Sequence, residues 1–597
     1  MLRAAYGDRA RLAIVFSDGS ARILTSGFES ACDPDISCDA THLLFAGKRT
    51  AADHWNLYEI AVDGSGLRQI TRDLGDCRSP RYQSTLYTMP PLTTIAPQPA
   101  YQVTFVGNLA NNVNEYGAQA ATHLYSCKLD GSAVRRLTFN LSSDMDPVVM
   151  PNGRVLFASW QRSRLDHGLL GRVGLFGVNI DGTDFALFAG YEGRRVKHMP
   201  SITAGGLAVF IEADQVPWDG SGQLSCVQLR RPLHSYRQIT RESDGLFHSP
   251  SPLADGRILV SRRPADGSRT HGVWRLDPSS HEAELVFDDP RYHDVQAKCI
   301  YPRQEPDGRS SGVTEEDPRG KLYCLNVYTS DLEEPKGMTP GSVTRLRVLE
   351  GVPWETGQPL AERRILGEIP VEEDGSFKIE IPANTPIELQ LLDADGMALR
   401  SCGWIWAKNG EPRGCIGCHE DGELVPENWF VDAAGDDAVD LSPPSEQRRA
   451  VGFRRDVMPI IARKCAKCHN QGKTPLDLDG DLAPVQGPDG KVPLGRSYEN
   501  LLAPAEPPGE GGALGKYVHP GRARTSPLVW HIFGRNTSRP WDGAAQQEPV
   551  KPMPPAESEP LGDEEKRTLV QWIDMGALWD GSASATVRET AQERANP

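Results

Sequence analysis

The feature that most constrains the fold is a motif that recurs through the first half of the chain. Its period is irregular, roughly 45–65 residues, near the length of a four-stranded propeller blade. Asp-Gly turns stand at Asp63-Gly64, Asp130-Gly131 and Asp181-Gly182. The first two lead into Leu67-Arg68-Gln69-Ile70-Thr71 and Arg136-Leu137-Thr138, and a related Gln238-Ile239-Thr240 follows. Each unit continues into a segment that ends in proline (Pro34, Pro80, Pro147, Pro200, Pro250) and reads as a loop. A turn such as Asn152-Gly153 or Asp255-Gly256 then opens an apolar run, as at 154–158 and 257–260. Asp-Gly and Asn-Gly tolerate positive φ at both turn positions, so between short β-branched runs they signal hairpins. The repeat predicts a β-propeller over residues 1–325, with about five or six blades. Because the pattern is already running at 12–16, upstream strands are expected to be missing.

A chain of 597 residues exceeds what one hydrophobic core serves, so further domains are expected. The formal net charge of −16 argues against nucleic acid or an anionic membrane surface as a partner, since both need clustered Lys and Arg. No apolar run is long enough to span a bilayer, and the first residues lack the apolar segment of a signal peptide.

Between 326 and 440 the repeat stops but period-two alternation continues, at 343–349, 376–381 and 386–392, which predicts an antiparallel β domain. From 441 to 597 the character changes to helix and loop. Residues 455–464 form one helical stretch. Residues 563–574 form another, amphipathic, acidic in its first turn and ending at Gly576. The fold class expected is mainly β with a small α part: propeller, antiparallel β middle domain, then an α-helical domain of class I cytochrome c type.

That last expectation rests on two pentapeptides, Cys415-Ile-Gly-Cys418-His419 and Cys465-Ala-Lys-Cys468-His469. Two thiols at this spacing reach both vinyl groups of a haem, and the adjoining imidazole turns under the ring to bind iron. A redox Cys-x-x-Cys or half of a zinc site would ordinarily lack the adjoining histidine. The chain is therefore expected to carry two haem c groups. Cys415, Cys418, Cys465 and Cys468 are the thioether residues, with His419 and His469 on iron. Met553, between Pro552 and Pro554, is the expected sixth ligand of the second haem, with His519 and His531 competing. The first motif has no cytochrome helix upstream. Either one axial position is open to a substrate, or a propeller histidine among His198, His248 and His293, read as lying in inter-strand loops, completes it. Haem attachment to such motifs occurs outside the cytoplasm in bacteria, so a periplasmic or otherwise extracytoplasmic location is expected, with the export signal not visible.

The repeat resembles TolB-type propellers. Over most of the chain the sequence resembles the hydrazine synthase alpha-subunit family, most sharply at 365–377, 392–397 and 414–420, which are similar to that family's middle domain. The resemblance implies a middle-domain haem that joins ammonia to a nitric-oxide-derived intermediate, a zinc ion on the motif histidine with a propeller cysteine, and a tyrosine on iron. The place of that tyrosine falls at Glu423, and no tyrosine occurs between Cys418 and Asp440. This leaves His419 or a carboxylate for the iron, with His419 expected. The function expected is an exported dihaem cytochrome acting in electron transfer. In it the first haem serves small-molecule redox chemistry, on nitrogen compounds by the resemblance, and the second serves as relay. Its partners are a redox protein or other subunits, with no membrane span. The alternative is a non-catalytic electron carrier whose propeller is a docking scaffold.

Overall fold

Among the described residues of the computed structural model, five four-stranded antiparallel blades follow one another in the first half. The structure describes residues 7–87, 102–110, 120–162, 171–331, 338–352, 361–420, 430–470, 474–479, 482–487, 490–503, 516–539, 542 and 550–579. The innermost strands of the five blades are Ser30–Ile36, Cys77–Tyr82, Asp144–Val149, Val196–Ile202 and Leu246–Pro252. Each is followed outward by three more strands, and the third and fourth blades touch through one parallel bridge, Val173 to Val196.

The recurrent prolines are not in loops, as their sequence context suggests, but inside these innermost strands. In every blade the register slips at the proline, between Cys32 and Asp35, Arg78 and Arg81, Met145 and Val148, His198 and Ser201, and His248 and Ser251. Proline has no N–H to give a ladder, and a bulge is where a strand tolerates that loss. The residue before each proline takes positive φ: Asp33 58°, Ser79 50°, Asp146 51°, Met199 51° and Ser249 44°. His198 and His248 likewise lie in innermost strands and are buried, which corrects their placement in inter-strand loops.

Those bulges form a hydrogen-bonded girdle about the propeller axis. Ser79 N–H donates to Asp33 Oδ2 (3.1 Å), Met199 N–H to Asp146 Oδ2 (3.1 Å) and Ser249 N–H to Met199 Sδ (3.3 Å). The sixth place is filled by Gln296, also at positive φ (58°), from a segment outside any sheet. Its N–H donates to Ser249 Oγ (2.8 Å), and Asp33 N–H donates to its Oε1 (2.8 Å). The chain then runs under the blades, with Arg303 N–H on Cys38 O (2.8 Å) and Asp307 N–H on Pro151 O (2.9 Å).

A two-sheet sandwich follows. One sheet has the order Pro412–Cys415, Arg319–Cys324, Phe377–Pro382, Val439–Asp440, and the other Glu362–Pro370, Arg345–Val352, Ile387–Leu392, Ala398–Ser401. The strand Arg319–Cys324 falls on the propeller side of residue 325, yet it pairs with Phe377–Pro382, a partnership that only long-range pairing decides. Leu322, Ile379 and Ile381 of the first sheet pack on Leu346, Val348 and Leu391 of the second. Alternation along the second sheet turns Leu349 and Ile365 the other way, into the core of the C-terminal part.

Among the described residues, that C-terminal part holds four short helices, α1 (Met458–Lys464), α2 (Arg496–Leu502), α3 (Pro527–Phe533) and α4 (Asp563–Asp574). The periodicity predicts α1 and α4. Phe453, Tyr498, Trp572 and Trp579 stack at their centre, with Phe453 5.2 Å from the Tyr498 and Trp572 rings. Gly562 N–H is capped by Glu565 (2.9 Å), and the acidic first turn of α4 complements the helix dipole.

Candidate functional site

The first pentapeptide begins on an edge strand of the sandwich. Pro412–Cys415 pairs in parallel with Lys321–Cys324, which sets Cys415 beside Cys324. Backbone bonds then fasten the whole motif to residues 325–331. Leu325 N–H donates to Cys415 O (2.9 Å), Asn326 N–H to Ile416 O (3.1 Å), Cys418 N–H to Thr329 O (2.8 Å) and Asp331 N–H to His419 O (3.0 Å). Glycine is required at 417 because a Cβ there would stand 2.3 Å from Thr329 O. His419 turns away at φ 65°, so the imidazole leaves the strand direction immediately after the second cysteine.

The propeller supplies one wall. His234, in a 3-10 turn of the fourth blade, places Nε2 3.1 Å from Asp331 Oδ1, and Asp331 is the residue whose N–H holds His419. His234 thus brings a propeller imidazole beside the first motif. His293 instead pairs with His271, their Nδ1 atoms 2.8 Å apart at the fifth blade. Sequence reasoning passed over His234, since nothing local marks it. Cys324 and Cys402, also unmarked, complete a set of thiols with Cys415 and Cys418. Burial raises the pKa of all four, that of Cys402 to about 12.

The segment from Trp404 to Arg413 locks this motif to the propeller. The Trp406 ring lies 4.1 Å from that of Phe185 and its Nε1 donates to Gly182 O (3.4 Å). Asp184 N–H donates to Glu411 Oε1 (2.7 Å), Lys408 Nζ to Arg136 O (3.1 Å), and Arg413 to Phe185 O.

The second pentapeptide leaves the C-terminal end of α1. Cys465 O accepts N–H from Cys468 (3.1 Å) and His469 (3.0 Å), closing a tight turn that presents both sulfurs. His469 Nδ1 lies 3.3 Å from Leu476 O and 3.1 Å from Thr474 Oγ1. Donation from Nδ1–H to that carbonyl leaves Nε2 as the lone-pair nitrogen, the tautomer an iron ligand needs. Burial pushes the Cys465 thiol up to about 11.

Met553 is half-buried on a loop tied to α3 at two points: its N–H donates to His531 O (2.8 Å), and His531 Nδ1 donates to Lys551 O (2.8 Å). His519 Nδ1 meets Thr525 Oγ1 (2.8 Å). The structure brings each cysteine pair together but keeps the two motifs in separate cores, Cys415 and Cys418 on the sandwich and Cys465 on the helical core. Glu423 lies outside the described residues. Among the described residues no group of three or more His, Cys, Asp or Glu is arranged to hold a metal ion. No helix among them is long and apolar enough to cross a membrane.

The middle of the chain, residues 328–420, matches the model of the hydrazine synthase alpha subunit middle domain. The chain is 26% identical to hydrazine synthase subunit alpha of Kuenenia stuttgartiensis, over 94% of this chain and 86% of that one. The solved Kuenenia stuttgartiensis hydrazine synthase superposes with a TM-score of 0.79 at 24% identity, covering 96% of this chain and 91% of that one. TolB from Acinetobacter baumannii covers 49% of this chain and 63% of its own at a TM-score of 0.35, with 14% identity, too low to carry an argument.

Proposed function

We propose, from the premise that this chain belongs to the hydrazine synthase alpha subunit family, that it is an exported c-type cytochrome with two covalently attached haems, acting as an oxidoreductase subunit on small nitrogen compounds. Cys415, Cys418 and His419 would hold one haem, and Cys465, Cys468 and His469 the other. When bound, haem supplies a one-electron redox centre and, where an axial position is open, an iron that takes a small ligand. In this reading the C-terminal helical part is a class I cytochrome c domain, with Met553 on the second iron, a ligand pair that raises the potential and suits a relay.

The observation that carries the assignment of small-molecule chemistry to the first site is its setting. Four backbone hydrogen bonds fix the pentapeptide to residues 325–331, and its neighbours come from the propeller and the sandwich instead of a cytochrome helix pair. Such a site is preorganised and bounded by different domains, where ligand pockets tend to form. His234 and Asp331 stand beside it as a polar pair that can hold a proton at Nε2 or Oδ1. Zinc has no part in this proposal. Other subunits of a complex are the expected partners, as the relative's name as a subunit suggests.

His234 also favours a second reading, in which a propeller imidazole caps the first iron and the chain is an electron carrier with the propeller as scaffold. Ligand binding separates the two. The haem-loaded chain should bind nitric oxide or hydroxylamine at one of its two haems. Binding at neither haem refutes the oxidoreductase reading in favour of the carrier.

A further inference from the structure

His293 lies on the segment that supplies Gln296, and two N–H groups of His271 converge on its ring. The His271 backbone N–H donates to His293 Nδ1 at 3.3 Å, and the two Nδ1 atoms are 2.8 Å apart. A backbone N–H can only donate, so His293 Nδ1 is the acceptor and His271 Nδ1 the second donor. The other nitrogen of His271, Nε2, is then a lone-pair atom, which suits the Ser221 hydroxyl 3.0 Å away. Both rings are therefore neutral, and His293 carries its proton on Nε2.

Contacts on either side of this pair pin the segment to the fifth blade. Asp294 N–H donates to His271 O (2.9 Å), Asp289 N–H to Asp294 Oδ2 (2.7 Å) and Gln296 N–H to Ser249 Oγ (2.8 Å). The Trp218 ring stands edge-on to His293 at 5.3 Å. Charged and titratable groups face the pair from every neighbouring element. Asp219, 3.4 Å from His271 Nε2, takes Arg263 Nε at 2.8 Å. On the segment itself Asp289 takes Arg291 Nε (2.9 Å) and Nη2 (2.8 Å), and Asp288 stands against Gly272. Behind His271, the His248 ring lies 5.8 Å away with its Nδ1 on Ser249 Oγ (2.9 Å).

A proton added to His293 goes to Nδ1, the atom at which both donors point. It turns the acceptor into a third donor, so both hydrogen bonds are lost and three N–H groups face one another. His271 does not take the proton first. It is fully buried, and burial, opposed by Asp219 and helped by His293 and Arg263, holds its pKa at about 4, whereas His293 is exposed. Partial desolvation, opposed by Asp219 and helped by Arg263, lowers the His293 pKa below 6.5 as well. Its contribution is therefore complete above about pH 6.5 and is lost as pH falls. We infer that His293 is an acid-released latch on the propeller closure: when Nδ1 is protonated, the imidazole leaves His271 and residues 289–296 loosen from the fifth blade. Gln296 follows three residues later, so the release reaches the girdle that it closes, while the blades keep their own ladders.

Amide hydrogen exchange of the full haem-loaded chain tests this. Between about pH 7.5 and about pH 5, protection of the 289–296 amides should fall roughly tenfold, while strand Arg154–Gln161 of the third blade holds its own. His293→Asn keeps an acceptor oxygen near the place of Nδ1 and does not titrate, so its protection should stay level over that range. Asp294, raised by burial to about 6, titrates in both proteins, so the comparison isolates His293. The wild-type midpoint should coincide with the titration of His293, read by deuterium exchange at its imidazole C2. Protection that ignores pH in the wild type, or falls equally in His293→Asn, overturns the latch. If the variant has lost protection already at neutral pH, the midpoint decides: one that departs from the His293 titration overturns it.

Discussion

Gln296 and Asp33 exchange two hydrogen bonds at the propeller axis, Asp33 N–H to Gln296 Oε1 at 2.8 Å and Gln296 Nε2 to Asp33 Oδ1 at 2.7 Å. A side-chain amide thereby closes the ring where a sixth blade would stand. Gln296→Ala removes both bonds and leaves Asp33 N–H without its acceptor, so the propeller should lose about 1–3 kcal/mol. Denaturant unfolding should show a lower midpoint with haem content unchanged.

Trp406 joins the sandwich to the third blade, its ring tilted 30° against that of Phe185 and buried to 1% exposure. Trp406→Ala should cost about 3–5 kcal/mol through lost contacts and the cavity left behind. Limited proteolysis should then cut between the propeller and the sandwich faster than in the wild type.

The blade repeat was legible in the sequence because Asp-Gly turns are local, and α1 and α4 because their periodicity is local as well. The prolines were misread for the same reason. Pro34 and Pro80 look like loop residues until the bulge that accommodates them is seen, and that bulge depends on the neighbouring strand and on Gln296. The pentapeptides announced themselves, since both thiols and the imidazole fall within five residues. His234, Asp331, Cys324 and Cys402 did not, because they reach the first motif only through long-range packing, His234 from the propeller and the others within the sandwich.

His271 sits with Nε2 3.0 Å from Ser221 Oγ and 3.4 Å from Asp219, and with Nδ1 on His293. Burial, helped by His293 and Arg263 and opposed by Asp219, lowers its pKa from 6.5 to about 4. The unfolded chain therefore binds more protons between those values, and this group's contribution to stability falls as pH drops from about 6.5 to about 4, by at most about 3 kcal/mol. Asp294, raised by burial to about 6, and Asp144, raised likewise, act in the opposite sense over part of that window. The measurement is a comparison of unfolding free energy against pH: His271→Gln should lose acid sensitivity relative to wild type across this range.

Met553 is held by the His531 carbonyl on a loop fastened to α3. As the sixth ligand of the second haem it should keep that centre at a higher potential than a bis-imidazole site. Met553→Ala should lower the potential of one haem and leave the other unchanged in a redox titration. Two unchanged potentials would return the ligand role to His519 or His531.

The central claim is that the first pentapeptide carries a haem able to take a small nitrogen ligand while the second carries a relay haem. EPR of the haem-loaded chain, with and without nitric oxide, tests it when wild type is compared with a Cys415→Ala, Cys418→Ala double variant. The account predicts two haems in the wild type, one of them giving a nitrosyl signal. The double variant should keep one haem and lose that signal. Two low-spin haems that ignore nitric oxide, or a nitrosyl signal that survives in the double variant, would contradict it.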